Sequence, residues 1–237
     1  NEADINGITV TNSTGTVAKV NATNAYVSGV SLNNHTGVTG IQVESNETFI
    51  DNVNVVGGDS TALDIKSTSE VLINGLTVTN STGVAANVNA TNAYVSSVSL
   101  NNHTGSTGIQ VEATGEASIA KVNVKGGNST ALDVQATEAN IARLDVTNST
   151  GTVAKVNSTE AKVMSVNLNN HTGDTGIQVE ATESALVGDV VSNGGNSTVA
   201  DVKSKEATIG YMEVNNNDAD VGINIESDKV DIGTVAI

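Results

Sequence analysis

A phrase reading apolar-x-x-apolar-x-apolar returns every 22 to 24 residues along this chain. Its first apolar position falls at Ile5, Val27, Ile50, Ile73, Val95, Ile119, Ile141, Val163, Val187, Ile209 and Ile232. Periodicity of this length marks a stacked, quasi-one-dimensional architecture in which each repeat contacts only its neighbours. Within a repeat, apolar and polar residues alternate at period two in three short pieces. Ala25-Tyr26-Val27, Val30-Ser31-Leu32 and Thr39-Gly40-Ile41-Gln42-Val43 are one such set. Alternation of this kind belongs to strands and not to helices. The two-residue gap between Val27 and Val30 predicts a bend, and loops of Asn, Gly, Ser and Thr supply the remaining turns.

Aligned repeats form columns. Small residues stand two before the anchor at Ala25, Thr48, Ala93, Ala117, Ala139, Ala161, Ala185 and Ala207. Threonines precede the third piece at Thr16, Thr39, Thr61, Thr107, Thr130, Thr152, Thr175 and Thr198, and parity with Ile41 and Val43 points them inward. Columns require each coil to lie in register above the last. The expected fold is therefore all-β: a right-handed parallel β-helix of about ten coils, with three short strands per coil. Residues 1–237 form one domain in this reading, and ten coils at the strand spacing make a rod about 48 Å long.

The totals agree with a narrow aliphatic core. Hydrophobic residues make up 38% of the chain, but there is no Trp, one Phe and three Tyr. Absent cysteine removes disulfides and thiolate metal sites, and absent proline suits a backbone committed to hydrogen-bond ladders. A net charge of −16 argues against nucleic acid as a partner, and no apolar run is long enough for a membrane span. No basic-then-apolar leader opens the sequence at Asn1, as in a chain whose signal has been removed or that never carried one.

A longer period of 68 or 69 residues groups the coils in threes. It carries twelve Asn-x-Ser/Thr sequons: Asn12, Asn21, Asn34, Asn46, Asn80, Asn89, Asn102, Asn128, Asn148, Asn157, Asn170 and Asn196. Most fall in loops, where an attached sugar leaves strands undisturbed, so they are candidate N-glycosylation sites.

Catalytic chemistry finds little to stand on. Coil length varies too little for the long insertions of a cleft, and Asp64, Asp133 and Asp201 are equivalents in separate coils, too far apart for a carboxylate pair. His35, His103 and His171 are likewise equivalents, three rungs apart, and read as solvated turn residues unable to share a metal. The expectation is no enzyme, no catalytic residue, no metal site and no cofactor. One outward column runs Asn21, Glu44, Lys66, Asn89, Glu112, Gln135, Asn157, Glu180, Lys203, Glu226, and sets Glu44 beside Lys66 and Glu180 beside Lys203.

Neither end shows a capping helix. A strand begins at Ala3-Asp4-Ile5, and the sequence stops on Ile237, so Ala3, Ile5, Val235 and Ile237 are candidate assembly residues. The whole organisation, with coils such as Asn33-Asn34-His35-Thr36-Gly37 followed by Thr39-Gly40-Ile41-Gln42-Val43, resembles archaeal cell-envelope repeat proteins. Among these it is most similar to surface-layer or tubular-sheath glycoproteins such as those around filamentous methanogens. That resemblance implies a secreted structural subunit at the cell surface, partnered by copies of itself and by attached glycans. The rival reading is a cell-surface adhesin or glycan-binding module. It would draw on exposed aromatics, and Tyr26, Phe49 and Tyr94 are few and scattered in the sequence.

Overall fold

A computed structural model describes residues 1–219 and 221–237. Among them the regular structure is entirely β: sixteen strands, from Glu2–Asn6 to Ile223–Ala236, joined in one sheet wound upon itself. Every pairing is parallel, and each rung bonds the rung before and the rung after. The protein is a parallel β-solenoid of about ten turns. Among the described residues no helix is long and apolar enough to cross a membrane.

Register follows the anchor column without a slip. Ile5 pairs with Val27, Val27 with Ile50, Ile50 with Ile73 and Ile73 with Val95. The run continues through Ile119, Ile141, Val163, Val187 and Ile209 to Ile232. The three short pieces of a coil often merge into one long strand that turns corners without leaving its ladder, as in Thr39–Val56, Thr61–Thr79 and Thr175–Gly195. Bends interrupt side-chain alternation there while backbone pairing persists.

The interior is a stack of aliphatic layers. Leu32, Ile41, Ile50, Leu63, Ile65, Ile73, Leu76, Leu100, Ile109, Ile119, Leu132 and Ile141 are fully enclosed, and the small column at Ala25, Ala93 and Ala117 is buried with them. Glycine supplies the space for the largest neighbours. A Cβ at Gly40, Gly108 or Gly176 would collide with Cδ1 of Leu32, Leu100 or Leu168, so these leucines fill the volume that the glycines vacate. One layer departs from the pattern: Ser192 stands beside Leu168 and Val214, 1% exposed, with its hydroxyl unpartnered.

Two corners depend on left-handed backbone. After the second strand of each coil, Asn12, Asn34, Gly57, Asn80, Asn102, Gly126, Asn148, Asn170, Gly194 and Asn216 all have positive φ. Asparagine and glycine are the residues that tolerate this region. The bend predicted between the first two strands is left-handed at Gly7, Gly29, Asn52, Gly75 and Ser97, whereas from Lys121 onward that position keeps negative φ.

Two expectations are corrected. The threonine column does not point into the core: Thr39 is 9% exposed, but Thr61, Thr107, Thr130, Thr152, Thr175 and Thr198 are half-buried and Thr16 is exposed. The residues after them, Gly40-Ile41 or Ala62-Leu63, are both buried in succession, so a corner breaks the parity on which that reading relied. Register does place Glu44 beside Lys66 and Glu180 beside Lys203. The ion pairs that close are others: Arg143–Asp145 at 2.7 Å, Lys205–Glu183 at 3.1 Å, and Lys203–Glu226 and Lys229–Glu206 at 3.6 Å. Apart from the half-buried Asp145 their side chains are exposed, and such surface pairs contribute about 0–1 kcal/mol each.

Candidate functional surfaces

Four surface features rise above the uniform rod: its terminal rungs, its sequon columns, a set of buried histidines, and one aromatic strip.

Among the described residues the strand Ile223–Ala236 pairs with Thr198–Asn215. Val230, Ile232, Val235 and Ile237 are 44%, 48%, 40% and 97% exposed. With Ile209, Ile223 and Ile225, two of them (Ile232 and Val235) line an open apolar hollow. At the opposite end Ala3, Ile5, Ile8 and Val10 are half-buried, packed against the core on one side only. Both rungs hold the same columns as the interior of the solenoid.

All twelve sequon asparagines are exposed. They are not equivalent. Asn12 and Asn34, Asn80 and Asn102, and Asn148 and Asn170 belong to the left-handed corner column and stand on adjacent rungs. Their side-chain amides are joined, Asn34 Nδ2 donating to Asn12 Oδ1 at 3.5 Å, with the other two pairs at 3.4 Å. A glycan attaches through this same nitrogen, and neighbouring rungs lie only about 4.8 Å apart, so each pair has room for one sugar at most. Asn21, Asn89 and Asn157 stand instead in an outward column with three rungs between them, about 14 Å.

The histidines are not solvated turn residues. His35, His103 and His171 are each 1% exposed. The left-handed asparagine before each one folds the imidazole back beneath its loop. His35 Nε2 lies 2.6 Å from the Gly15 carbonyl, while Nδ1 accepts from the Gly37 N–H at 3.1 Å and lies 3.0 Å from Ser60 Oγ. His103 repeats this with Gly83 O at 2.6 Å and Ser129 Oγ at 2.9 Å. A carbonyl only accepts, so Nε2 carries the hydrogen and Nδ1 receives the serine hydroxyl. His171 faces the main chain of Ser149 and Thr175, but neither ring nitrogen reaches hydrogen-bond geometry. Sequence reasoning missed this site. Its signal was a serine 25 or 26 residues on and a glycine 20 residues back, one rung to either side.

Burial pushes the affinity of His103 and His171 for a proton below the ordinary imidazole value of 6.5. The folded state therefore holds them neutral, while the unfolded chain takes up protons near pH 6.5. Their contribution to stability is complete above that pH and is lost as pH falls below it and through the lower folded values. Urea unfolding followed by circular dichroism is expected to show stability dropping across this window. In His103→Gln the slope should be shallower, because one proton uptake has gone.

The three tyrosine and phenylalanine positions expected to be scattered are brought together. Tyr26, Phe49, Leu72 and Tyr94 pair in direct register on four successive rungs, one residue before each anchor, on the outer face. Tyr26 and Phe49 are 46% and 37% exposed, and their ring centroids lie 6.4 Å apart at a 43° tilt. Tyr94 donates to Glu116 Oε2 at 3.4 Å. Burial, with Glu116 and Glu70 nearby, raises its pKa and holds the phenol protonated.

Asp64, Asp133 and Asp201 fall in one column three rungs apart, and no three His, Asp or Glu side chains converge among the described residues. No family model, curated protein or solved structure matches this chain.

Proposed function

We propose that the protein is a structural building block whose copies join rung on rung into an extracellular filament, sheath or surface layer, with sugars on its open sequons. The observation that carries this reading is the single register kept from rung to rung, by which each rung offers the next the same columns, those that Val230, Ile232 and Val235 carry on the rung Ile223–Ala236. Ala3, Ile5 and Ile8 of a second copy match those columns residue for residue, Ala3 over Val230 and Ile5 over Ile232. Lys229, already 3.6 Å from Glu206, would receive Glu2 of that copy on its other side.

Against this works the charge of −16, and Asp231 would face Asp4. Salt screens exposed repulsion over a Debye length of about 8 Å at physiological ionic strength, so joining should strengthen as salt is raised. The test is sedimentation velocity together with electron microscopy of concentrated protein at low and high salt. Rods longer than one molecule, growing with salt and abolished in Ile232→Lys, are the expected result. A particle that stays monomeric at high concentration and high salt would overturn the proposal.

A further inference from the structure

Repetition alone does not account for the strip of Tyr26, Phe49, Leu72 and Tyr94. One and two blocks further on, the position of Tyr26 holds Tyr94 and Lys162, that of Phe49 holds Ser118 and Leu186, and that of Leu72 holds Asn140 and Thr208. Block duplication carried Tyr26 over as Tyr94, but Phe49 has no aromatic counterpart in either later block and Tyr94 none in the last. The aromatics persist only where the first corner is left-handed, at Gly29, Asn52, Gly75 and Ser97. Tyr26 and Phe49 are exposed side by side on adjacent rungs, with Leu72 and Tyr94 half-buried beyond them, and contiguous apolar surface of this kind signals contact with something.

Polar groups border the strip on both sides. Asn24, Glu47 and Glu70 line one margin of a shallow hollow whose floor includes Tyr26, Phe49 and Leu72. On the other margin Asn74 Nδ2 donates to Asp51 Oδ1 at 3.0 Å, and Ser96 donates to Asn74 at 2.9 Å. Aromatic faces between rows of carboxylates and amides match a ring with apolar C–H faces and a rim of hydroxyls, which is the chemistry of a pyranose. Phosphate-bearing ligands and anionic membranes would meet the carboxylates. A second copy face to face would set the glutamates of one molecule against those of the other. Because the rungs are collinear, the strip extends about 14 Å along the axis, which suits a straight chain of several sugars.

We propose that this strip binds an uncharged, β-1,4-linked polysaccharide lying along the solenoid axis, its rings stacked on Tyr26, Phe49 and Tyr94 and its hydroxyls bonded to Glu47, Glu70 and Asp51. The site is independent of the assembly reading, since it lies on the side of the rod and not on its ends.

Isothermal titration with cellohexaose and with chitohexaose tests it. The wild-type chain should bind at least one of them saturably. Tyr26→Ala and Phe49→Ala should each weaken that binding about tenfold, while Tyr26→Phe keeps it. Lys162→Ala, in the same column three rungs beyond Tyr94, should leave it unchanged. Circular dichroism melts of all four variants should match wild type, because the altered side chains are surface groups. Absence of saturable binding to both oligosaccharides overturns the proposal, as does unaltered binding in Tyr26→Ala. Should Phe49→Ala instead reduce self-association with no effect on sugar uptake, the strip is a contact between copies and the proposal falls.

Discussion

Leu100→Ala is expected to lower the unfolding free energy by about 3–5 kcal/mol, measured by urea denaturation. Leu100 is completely enclosed, and its Cδ1 occupies the space that Gly108 leaves by having no Cβ. Truncation removes the buried methyl groups and opens a void that cannot collapse. Its walls are held by ladders on both sides: Leu100 pairs with Val78 on one rung and Val124 on the next. In a solenoid each rung interface is shared by two neighbours, so a void at mid-stack weakens both halves together. A loss below about 1 kcal/mol would mean that the rungs shift to fill the space and that the interior is less rigid than the register implies.

The stacking itself was legible because two periodicities act at once. Alternation at period two told strand from helix, and the 22- to 24-residue return told which residue lies over which. That is why the anchor column, the small column and the outward column from Asn21 to Glu226 all recur in the pairing. Errors arose where parity crosses a corner. Thr61 was read by the same parity, but the corner at Ala62-Leu63 puts two successive residues inside and leaves the threonine half-buried at the margin of the core.

The histidines failed for a different reason. A polar residue in an Asn-Asn-His-Thr-Gly loop looks solvated by composition, and only the left-handed φ of Asn34 or Asn102 turns the ring inward. Pattern reading assigns residues to faces and carries no information about such loop geometry. The aromatics were misjudged by counting along the chain. Tyr26, Phe49 and Tyr94 are separated by 23 and 45 residues in sequence, yet register makes them members of a single column. In a solenoid, distance along the chain becomes a rung number, and residues must be compared modulo the coil before they are called scattered.

The paired glycines give the sharpest contrast between neighbouring positions. Gly126 and Gly127 both have positive φ, at 67° and 84°. Gly126 belongs to the corner column that other coils fill with Asn80, Asn102 and Asn148 at φ of 49–54°. The atom its Cβ would meet is the Asn102 side-chain oxygen, which can swing aside. Gly126→Asn is therefore expected to change stability by no more than about 0.5 kcal/mol. Gly127 rides directly over the main chain of His103, and a Cβ there would collide with the His103 carbonyl oxygen, held in place by the ladder and by the loop over the imidazole. Gly127→Ala combines the left-handed cost of a side chain, about 1–2 kcal/mol, with displacement of that peptide, for a total of about 2–4 kcal/mol. Displacing the peptide also disturbs the His103 hydrogen bonds to Gly83 and Ser129. Gly127→Ala should therefore lose part of the acid sensitivity along with its stability, whereas Gly126→Asn keeps the wild-type pH profile. Equal costs at the two positions would show that backbone hand alone, and not the buried histidine turn, governs this corner.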